Sequence, residues 1–229
     1  MQRLLVVNSL RLMAYFSGCG LAIAGSMGTG LSPVNSLSGL YIGADIGLAN
    51  LMNHSSHTSN PMSYQLGATG LIGGGMVGYN YPILSELSLA VEGFIDGTGL
   101  RSTINSSVYN YKTSQRYNAG VRLLPKYSFT NSTSFHWSFG YASGYFQIQD
   151  TGVFGLVNTT YNSNAFQTGP GLSTMVIDNL FLRFDALYNT YAQEKSFGLA
   201  LPSSGDPFQF YNNQFSQFAG EFSLVYQFG

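Results

Sequence analysis

The last strand-like stretch of the chain, residues 218–228, alternates strictly between two kinds of side chain. One face carries Phe218, Gly220, Phe222, Leu224, Tyr226 and Phe228, and the other carries Ala219, Glu221, Ser223, Val225 and Gln227. A period of two is the period of a β-strand. A soluble sheet turns its apolar face into a core, whereas a transmembrane barrel turns apolar side chains toward lipid and polar ones inward. The choice between these two arrangements limits what the protein can do.

Charged residues make up only 8% of the chain, against about 25% in ordinary soluble domains. The mean hydropathy is nevertheless only +0.07, and past the N-terminus no apolar run reaches the ~18 residues of a membrane-spanning helix. The 28 Gly, 16 Tyr and 17 Phe residues favour many short strands, as in a β-barrel or a sandwich, and argue against disorder. The net charge of −1 gives no reason to expect a nucleic-acid partner.

The N-terminus has the pattern of an export signal. Arg3 and Arg11 supply positive charge, residues 12–24 are mostly apolar, and Ala24-Gly25-Ser26 offers small residues for cleavage. The apolar stretch is too short and too rich in glycine to serve as a membrane anchor. We therefore predict a signal peptide over residues 1–26.

The single cysteine, Cys19, lies in this leader, so the remaining chain has neither disulfides nor a thiol nucleophile. A second interpretation of the leader is a lipoprotein cleavage box at Ser17-Gly18-Cys19, in which Cys19 is lipidated. Phe16 stands where such a box has an aliphatic residue.

Eight alternating segments follow a linker at residues 27–38, and each is expected to form a strand of about 10 to 13 residues, the length of a tilted membrane-crossing strand. They lie at residues 40–48, 66–81, 86–96, 116–123, 135–142, 166–176, 180–189 and 218–228. The sixth contains Pro170, which we expect at a bulge or an irregular pairing. Short connections (82–85, 125–131, 177–179) alternate with long ones (50–63, 97–114, 147–163, 191–214). Outer-membrane barrels alternate tight periplasmic turns with long extracellular loops. We predict one eight-stranded antiparallel up-and-down transmembrane β-barrel over residues 39–229, with both termini in the periplasm.

The charges provide a second test of this topology. If the apolar faces point outward, the following charged residues point inward: Asp45, Glu86, Glu92, Asp96, Arg116, Arg122, Arg183, Asp185 and Glu221. The others fall in expected loops or turns: Arg101, Lys112, Lys126, Asp150, Asp178, Glu194, Lys195 and Asp206. On this assignment no charged side chain faces lipid.

Three stretches carry a family resemblance: residues 39–47 (GLYIGADIG), 74–81 (GGMVGYNY) and 180–188 (LFLRFDALY). Together with the aromatic C-terminal strand they resemble the small eight-stranded outer-membrane barrels of the OmpA/OmpX-like superfamily. The resemblance implies a bacterial outer-membrane location and contact with membrane lipid and lipopolysaccharide. It also implies recognition by the barrel-assembly machinery through the C-terminal strand, on Phe222, Leu224, Tyr226 and Phe228. That signal is usually the last residue, whereas here Gly229 follows Phe228.

An eight-stranded barrel is just wide enough for its own side chains to fill, so charges inside it must be paired. We predict a structural network of Asp45, Glu92, Asp96, Arg116, Arg122, Arg183, Asp185 and Glu221. The alternative is that these charges form a gate for small ions or solutes.

His136 and Ser138 share one strand face and resemble the His-x-Ser motif of lipid A deacylase barrels. A serine nucleophile needs a base and a group that orients the base. Both residues should lie near the periplasmic turn, far from a lipid substrate in the outer leaflet, so an interior histidine is the prediction. His54 and His57 alone make a weak metal site. We therefore expect no enzyme activity, metal or cofactor.

Aromatic residues are expected to form a girdle at the periplasmic interface, namely Tyr79, Tyr81, Phe135, Trp137, Tyr226 and Phe228. The polar, aromatic-rich loops are the candidate contact surface for a host or surface ligand. The resulting hypothesis is a non-enzymatic envelope-structural or adhesin-like barrel that acts through four extracellular loops. A narrow channel and a lipid A-modifying barrel enzyme are the alternatives.

Overall fold

The computed structural model describes residues 38–57, 63–105, 109–130, 132–152, 155–199 and 208–228. The predicted signal peptide and nearly all of the linker lie outside these residues. The described strands are β1 (Gly39–His57), β2 (Ser63–Pro82), β3 (Leu87–Thr98), β4 (Arg101–Asn105), β5 (Tyr109–Ser128), β6 (Thr133–Gly152), β7 (Gly155–Ile177), β8 (Leu180–Tyr191), β9 (Glu194–Leu199) and β10 (Phe208–Gln227). Within the described residues no helix is long and apolar enough to cross a bilayer.

Eight strands form a closed antiparallel ring. Their order is β1-β2-β3-β5-β6-β7-β8-β10, and β10 pairs back onto β1 from Tyr41↔Gln227 to His57↔Tyr211. β4 pairs only with β5, and β9 pairs mainly with β10, so both extend the wall at one end. The predicted eight-stranded up-and-down barrel is thus confirmed.

The strands are staggered around the barrel. Following cross-strand partners once around the ring from Tyr41, through Gly78, Glu92 and Arg122, leads back to β1 at Leu51. The path returns ten residues further along the strand, and such a stagger requires the strands to tilt against the barrel axis.

The two ends of the barrel differ in their connections. One end, here called the turn end, holds the short turns 83–86, 129–132 and 178–179 together with Gly39 and Phe228. In the last turn Asn179 has a φ of 67°, a left-handed conformation that asparagine tolerates better than most residues. The opposite end is called the loop end.

The predicted segment length is wrong for most strands. Only β3 and β8 have 12 residues, whereas the other ring strands have 19 to 23. Much of each expected long loop is in fact strand. For example, β6 and β7 pair from Thr133↔Thr174 to Gly152↔Gly155. At Pro170 the pairing of β7 with β8 omits residues 169 and 170 but keeps its register, and the bulge in this pairing lies instead between Met175 and Ile177.

Candidate functional site

The inward side chains near the turn end form a cluster of ion pairs centred on Glu92. Its carboxylate accepts from Arg122 Nε, from Arg183 Nη1 at 2.6 Å and from the Tyr41 hydroxyl at 2.8 Å. Arg183 Nε also lies 2.7 Å from Asp185 Oδ2. All these side chains are buried. Each charge therefore has an opposite charge within reach, which offsets the large cost of removing it from water.

The histidine predicted to lie inside belongs to the same cluster. His136 Nε2 lies 2.6 Å from Asp185 Oδ1, and both side chains are fully buried. Gly171 makes room for this pair, because a Cβ at that position would overlap both side chains. Ser138 is buried too, and its hydroxyl has no hydrogen-bond partner among the described residues. The arrangement is a His–Asp pair that is enclosed in the barrel interior.

Three of the predicted interior acids lie closer to the loop end than this cluster. Asp45 and Asp96 flank Gly74 on either side, and Glu221 is the cross-strand partner of Asp185. All three are buried. No Lys, Arg or His in the described part of the chain forms an ion pair with any of them. They therefore belong to the interior but not to the ion-paired cluster.

Two charged residues that were predicted to point inward are exposed, and Asp150, which was expected in a loop, is buried in β6. Arg116 is exposed and donates from Nη2 to Gln147 Oε1 at 3.0 Å on the outer surface. The cause is a bulge between Gln115 and Tyr117, where the extra residue shifts the register of β5. Glu86 is likewise exposed, because it lies in the first short turn and not in β3.

Sequence reasoning missed one inward cation, Lys126. β5 continues past Pro125 to Ser128, so Lys126 keeps the inward facing of Arg122 and lies over the Tyr41 ring at 5.3 Å from its centroid. The available signal was the two-residue spacing from Arg122 through Leu124, which the proline obscured.

A layer of amides lies above the charges. Gln115 Nε2 donates to the Tyr191 hydroxyl at 2.9 Å, and that hydroxyl donates to Gln217 Oε1 at 3.0 Å. Asn189 Nδ2 donates to the same oxygen at 3.0 Å. These bonds join β5, β8 and β10 across the interior.

Stacked rings fill the interior at the loop end. Phe146 lies 4.4 Å from Phe215, 5.0 Å from Tyr191 and 5.8 Å from Tyr161, measured between ring centroids. Phe146 and Phe215 are fully buried, and Leu51 and Leu100 are almost so. We call Phe146, Tyr161, Tyr191 and Phe215 the aromatic plug. Burial raises the pKa of the Tyr161 hydroxyl, because its charged form would lose hydration. None of the four was predicted to lie inside.

At the height of the aromatic plug the outer face of the barrel changes from apolar to polar. Toward the turn end it is apolar, with side chains such as Ile46 and Ile95 that are 62% and 61% exposed. Beside the plug it is polar, where Arg116, Gln147 and Asn158 form a chain of hydrogen bonds across β5, β6 and β7. An apolar outer face needs lipid around it, and a polar one needs water.

The family model described as "Outer membrane protein beta-barrel domain" matches residues 19–228. The chain belongs to this family. Membership places it in the bacterial outer membrane, so the apolar band of the wall lies in that membrane.

Solved structures of other outer-membrane barrels share the fold. The outer membrane protease OmpT from Escherichia coli is 10% identical, with 87% of this chain and 99% of that chain covered and a TM-score of 0.50. OprG from Pseudomonas aeruginosa is 11% identical (86% and 100% covered, TM-score 0.47). Ail of Yersinia pestis, solved with the heparin analogue sucrose octasulfate, is 14% identical (81% and 99% covered, TM-score 0.38). At these identities the likeness concerns the fold alone. No curated protein matches the sequence.

The membrane-facing surface of this family member carries the six residues predicted as a girdle. Tyr79, Tyr81, Trp137, Tyr226 and Phe228 are exposed and Phe135 is half-buried, all on the half of the wall nearer the turn end. Trp137 Nε1 donates to Thr168 Oγ1 at 2.8 Å, and the rings of Tyr226 and Phe228 meet edge to face at 5.1 Å. The outward stripe of β10 also contains Phe222 and Leu224. The assembly role of these C-terminal residues stays a prediction.

The histidines proposed as a weak metal pair are placed only in part. His54 is exposed on β1, and the side chain of His57 lies outside what the structure describes. Among the described residues no group of three or more His, Cys, Asp and Glu side chains could hold a metal ion.

Proposed function

We propose that the protein is a non-enzymatic outer-membrane barrel that supports the envelope or contacts external surfaces through its loop end. The observation that carries this proposal is the filled interior. The ion-paired cluster and the aromatic plug lie one above the other along the barrel axis. A solute would have to displace both, and a substrate would find the His–Asp pair enclosed.

The proposed orientation has the turn end and both termini in the periplasm. The alternation of short and long connections supports it, because outer-membrane barrels place tight turns on the periplasmic side. The polar outer surface beside the plug would then stand above the membrane in the external medium. The girdle and the lower wall would contact membrane lipid and lipopolysaccharide.

The described part of the proposed contact surface is built from strands. β6 and β7 remain paired up to Gly152 and Gly155, and β4 and β9 widen the wall at the same end. Leu156, at 65% exposed, stands near the end of the β6–β7 hairpin. A rigid surface loses little conformational entropy on binding, so it suits recognition of a host or surface ligand.

Assembly is proposed to depend on the outward stripe of β10. This strand closes the ring against β1, and Phe228 N donates to Leu40 O at 2.9 Å at the seam. Phe222, Leu224, Tyr226 and Phe228 share the outward face of this strand, and we propose that the barrel-assembly machinery reads them on the unpaired strand.

Four measurements test the proposal on cells and on refolded protein. If the barrel supports the envelope, a strain that lacks it should become sensitive to detergent. If it contacts external surfaces, cells that produce it should gain attachment to epithelial monolayers. That attachment should be lost when residues 149–158 are shortened to a two-residue turn. The refolded barrel should give no reproducible conductance steps in planar bilayers. Defined conductance steps, or lipid A whose acylation depends on His136, would overturn the non-enzymatic, non-channel assignment.

A further inference from the structure

A cavity of about 80 Å³ lies within the barrel at its turn end. We call it the turn-end cavity and define it by lining residues from six strands: Tyr41, Ser88, Lys126, Ser134, Ser173 and Arg183. A site needs about 10–15 Å³ on this measure to hold one water molecule. The turn-end cavity therefore has room for several waters or for one small polyatomic ion.

Two cations line this cavity, and only one of them is neutralised. Arg183 is paired with Glu92 and Asp185. Lys126 has no carboxylate within ion-pair distance among the described residues. The acids nearest to it in the cluster already serve Arg122, Arg183 and His136. The ring of Tyr41 covers one side of the Lys126 ammonium at 5.3 Å, and this contact supplies less than a full negative charge.

Serine residues from three strands line the same cavity as the unpaired ammonium. Strand register places Ser88 opposite Lys126, Ser134 opposite Ser173, and Ser173 opposite Arg183. Serine hydroxyls can donate to an anion. The cavity thus combines two cationic groups with several neutral donors on a rigid wall.

One carboxylate also lines the cavity. Glu86 lies in the turn, but its Oε2 accepts from the outward-facing Tyr127 hydroxyl at 3.3 Å. This contact holds the acid toward the outer surface. Glu86 forms no ion pair with Lys126 in the described structure.

We infer that the turn-end cavity binds a small tetrahedral oxyanion of the phosphate or sulfate type. The anion accepts a charge-assisted hydrogen bond from Lys126 and further bonds from the serine hydroxyls, while Arg183 lines the same cavity but stays paired with Glu92 and Asp185. It neutralises the one cation that the interior network leaves unpaired. The competing description is a cavity that holds water only, with Lys126 hydrated from the turn end.

The test uses the full chain refolded in a maltoside detergent, because phosphocholine detergents would themselves supply phosphate. Inorganic phosphate is titrated against sodium chloride at matched ionic strength, and backbone amide shifts are recorded. We expect saturable shifts at Ser88, Lys126, Ser134 and Ser173, with loop-end amides unmoved. Shifts that are absent, linear in phosphate or spread over the whole surface would show a water-filled cavity and overturn the inference. A parallel titration with sulfate shows whether the site takes tetrahedral oxyanions in general or phosphate alone.

Matched lysines on β5 provide the control. Lys126→Gln should weaken phosphate binding at least about tenfold, as expected for the loss of a charged hydrogen-bond donor. Lys112→Gln, at the other end of the strand, should leave binding unchanged, and Lys126→Arg should retain it. If Lys126→Gln does not give the heat-modifiable gel shift of a folded barrel, Ser173→Ala replaces it with a smaller expected loss. Equal affinities in the wild type and in the folded cavity variants would contradict the inference.

Discussion

The two halves of the barrel place their apolar side chains on opposite faces of the wall, although the same strands build both. On β6, the half near the turn end points Trp137 and Phe139 outward and His136 inward, whereas the half near the loop end points Gln147 outward and Phe146 inward. The direction in which alternate residues point does not change along the strand. What changes is the solvent outside: lipid favours apolar outward residues, and water favours apolar residues inside.

This difference explains why the interior has two kinds of filling. Inside the membrane band the outward positions take the apolar residues, and the inward positions take polar ones that must satisfy one another by ion pairs. Above the band the wall is free to build an ordinary hydrophobic core, and Phe146 and Phe215 do so. The barrel is therefore sealed twice, by electrostatics at one height and by packing at another.

The largest loss of stability is expected from a substitution in the ion-paired half. Glu92→Gln removes the acceptor charge shared by Arg122 and Arg183, and leaving buried charges unpaired costs about 3–5 kcal/mol. Denaturant unfolding in lipid vesicles, followed by the fluorescence of the single tryptophan, Trp137, measures the loss. Glu86→Gln in the exposed turn is the control and should change stability by less than about 0.5 kcal/mol. Equal losses in the two variants would mean that the cluster does not stabilise the barrel.

The second prediction concerns the hydrophobic half. Phe146→Ala removes the ring that contacts all three other plug residues, and a buried Phe→Ala change costs about 3 kcal/mol or slightly more. Phe139→Ala on the lipid-facing side of β6 should cost less, because lipid can close around the smaller side chain. Neither variant should conduct ions, since the ion-paired cluster remains below. Conductance in Phe146→Ala alone would show that the plug is the only seal.

A third prediction locates the boundary between the halves. Ala186 and Thr190 both face outward on β8, the first within the apolar band and the second near its edge. A lysine on the lipid face costs about 2–4 kcal/mol at the bilayer midplane and about 0–1 near the interface. Ala186→Lys should therefore be clearly less stable than Thr190→Lys in the same vesicles. Similar costs would place the membrane band elsewhere on the wall.

The facing of side chains was predictable from the sequence where apolar residues point outward along a whole segment. Alternation and apolar-outward facing correctly orient Asp45, Glu92, Arg183 and Glu221, because lipid surrounds those stretches. The same assumption could not find the aromatic plug, since Tyr191 and Phe215 lie where water replaces lipid and the apolar face turns inward. Each strand was expected to end where the membrane ends. The strands continue further because they pair with their neighbours, and the alternation within one segment does not show this pairing.

The interior charges were predictable except where the backbone departs from regular pairing. A bulge adds one residue, so facing inferred from spacing fails beyond it, and Arg116 lies at that point. Pro125 was taken as the start of a turn because it cannot donate to the ladder. The structure accommodates it on the outward side, which keeps Lys126 inside.

The smallest change in stability is expected for a substitution of Arg116, and it tests whether β5 has the bulge between Gln115 and Tyr117. Arg116 is exposed and bonded only to Gln147 in the described structure, so Arg116→Ala should change the free energy of unfolding by less than about 0.5 kcal/mol. Arg122, six residues along the same strand, is buried against Glu92, and its alanine variant should cost several-fold more. Denaturant unfolding of the two variants in the same vesicles measures the difference. A large loss of stability for Arg116→Ala would mean that β5 is regular and that Arg116 points into the interior. The interior would then contain a third guanidinium, beside Arg122 and Arg183, and it would lie near the unpaired acids Asp45 and Asp96.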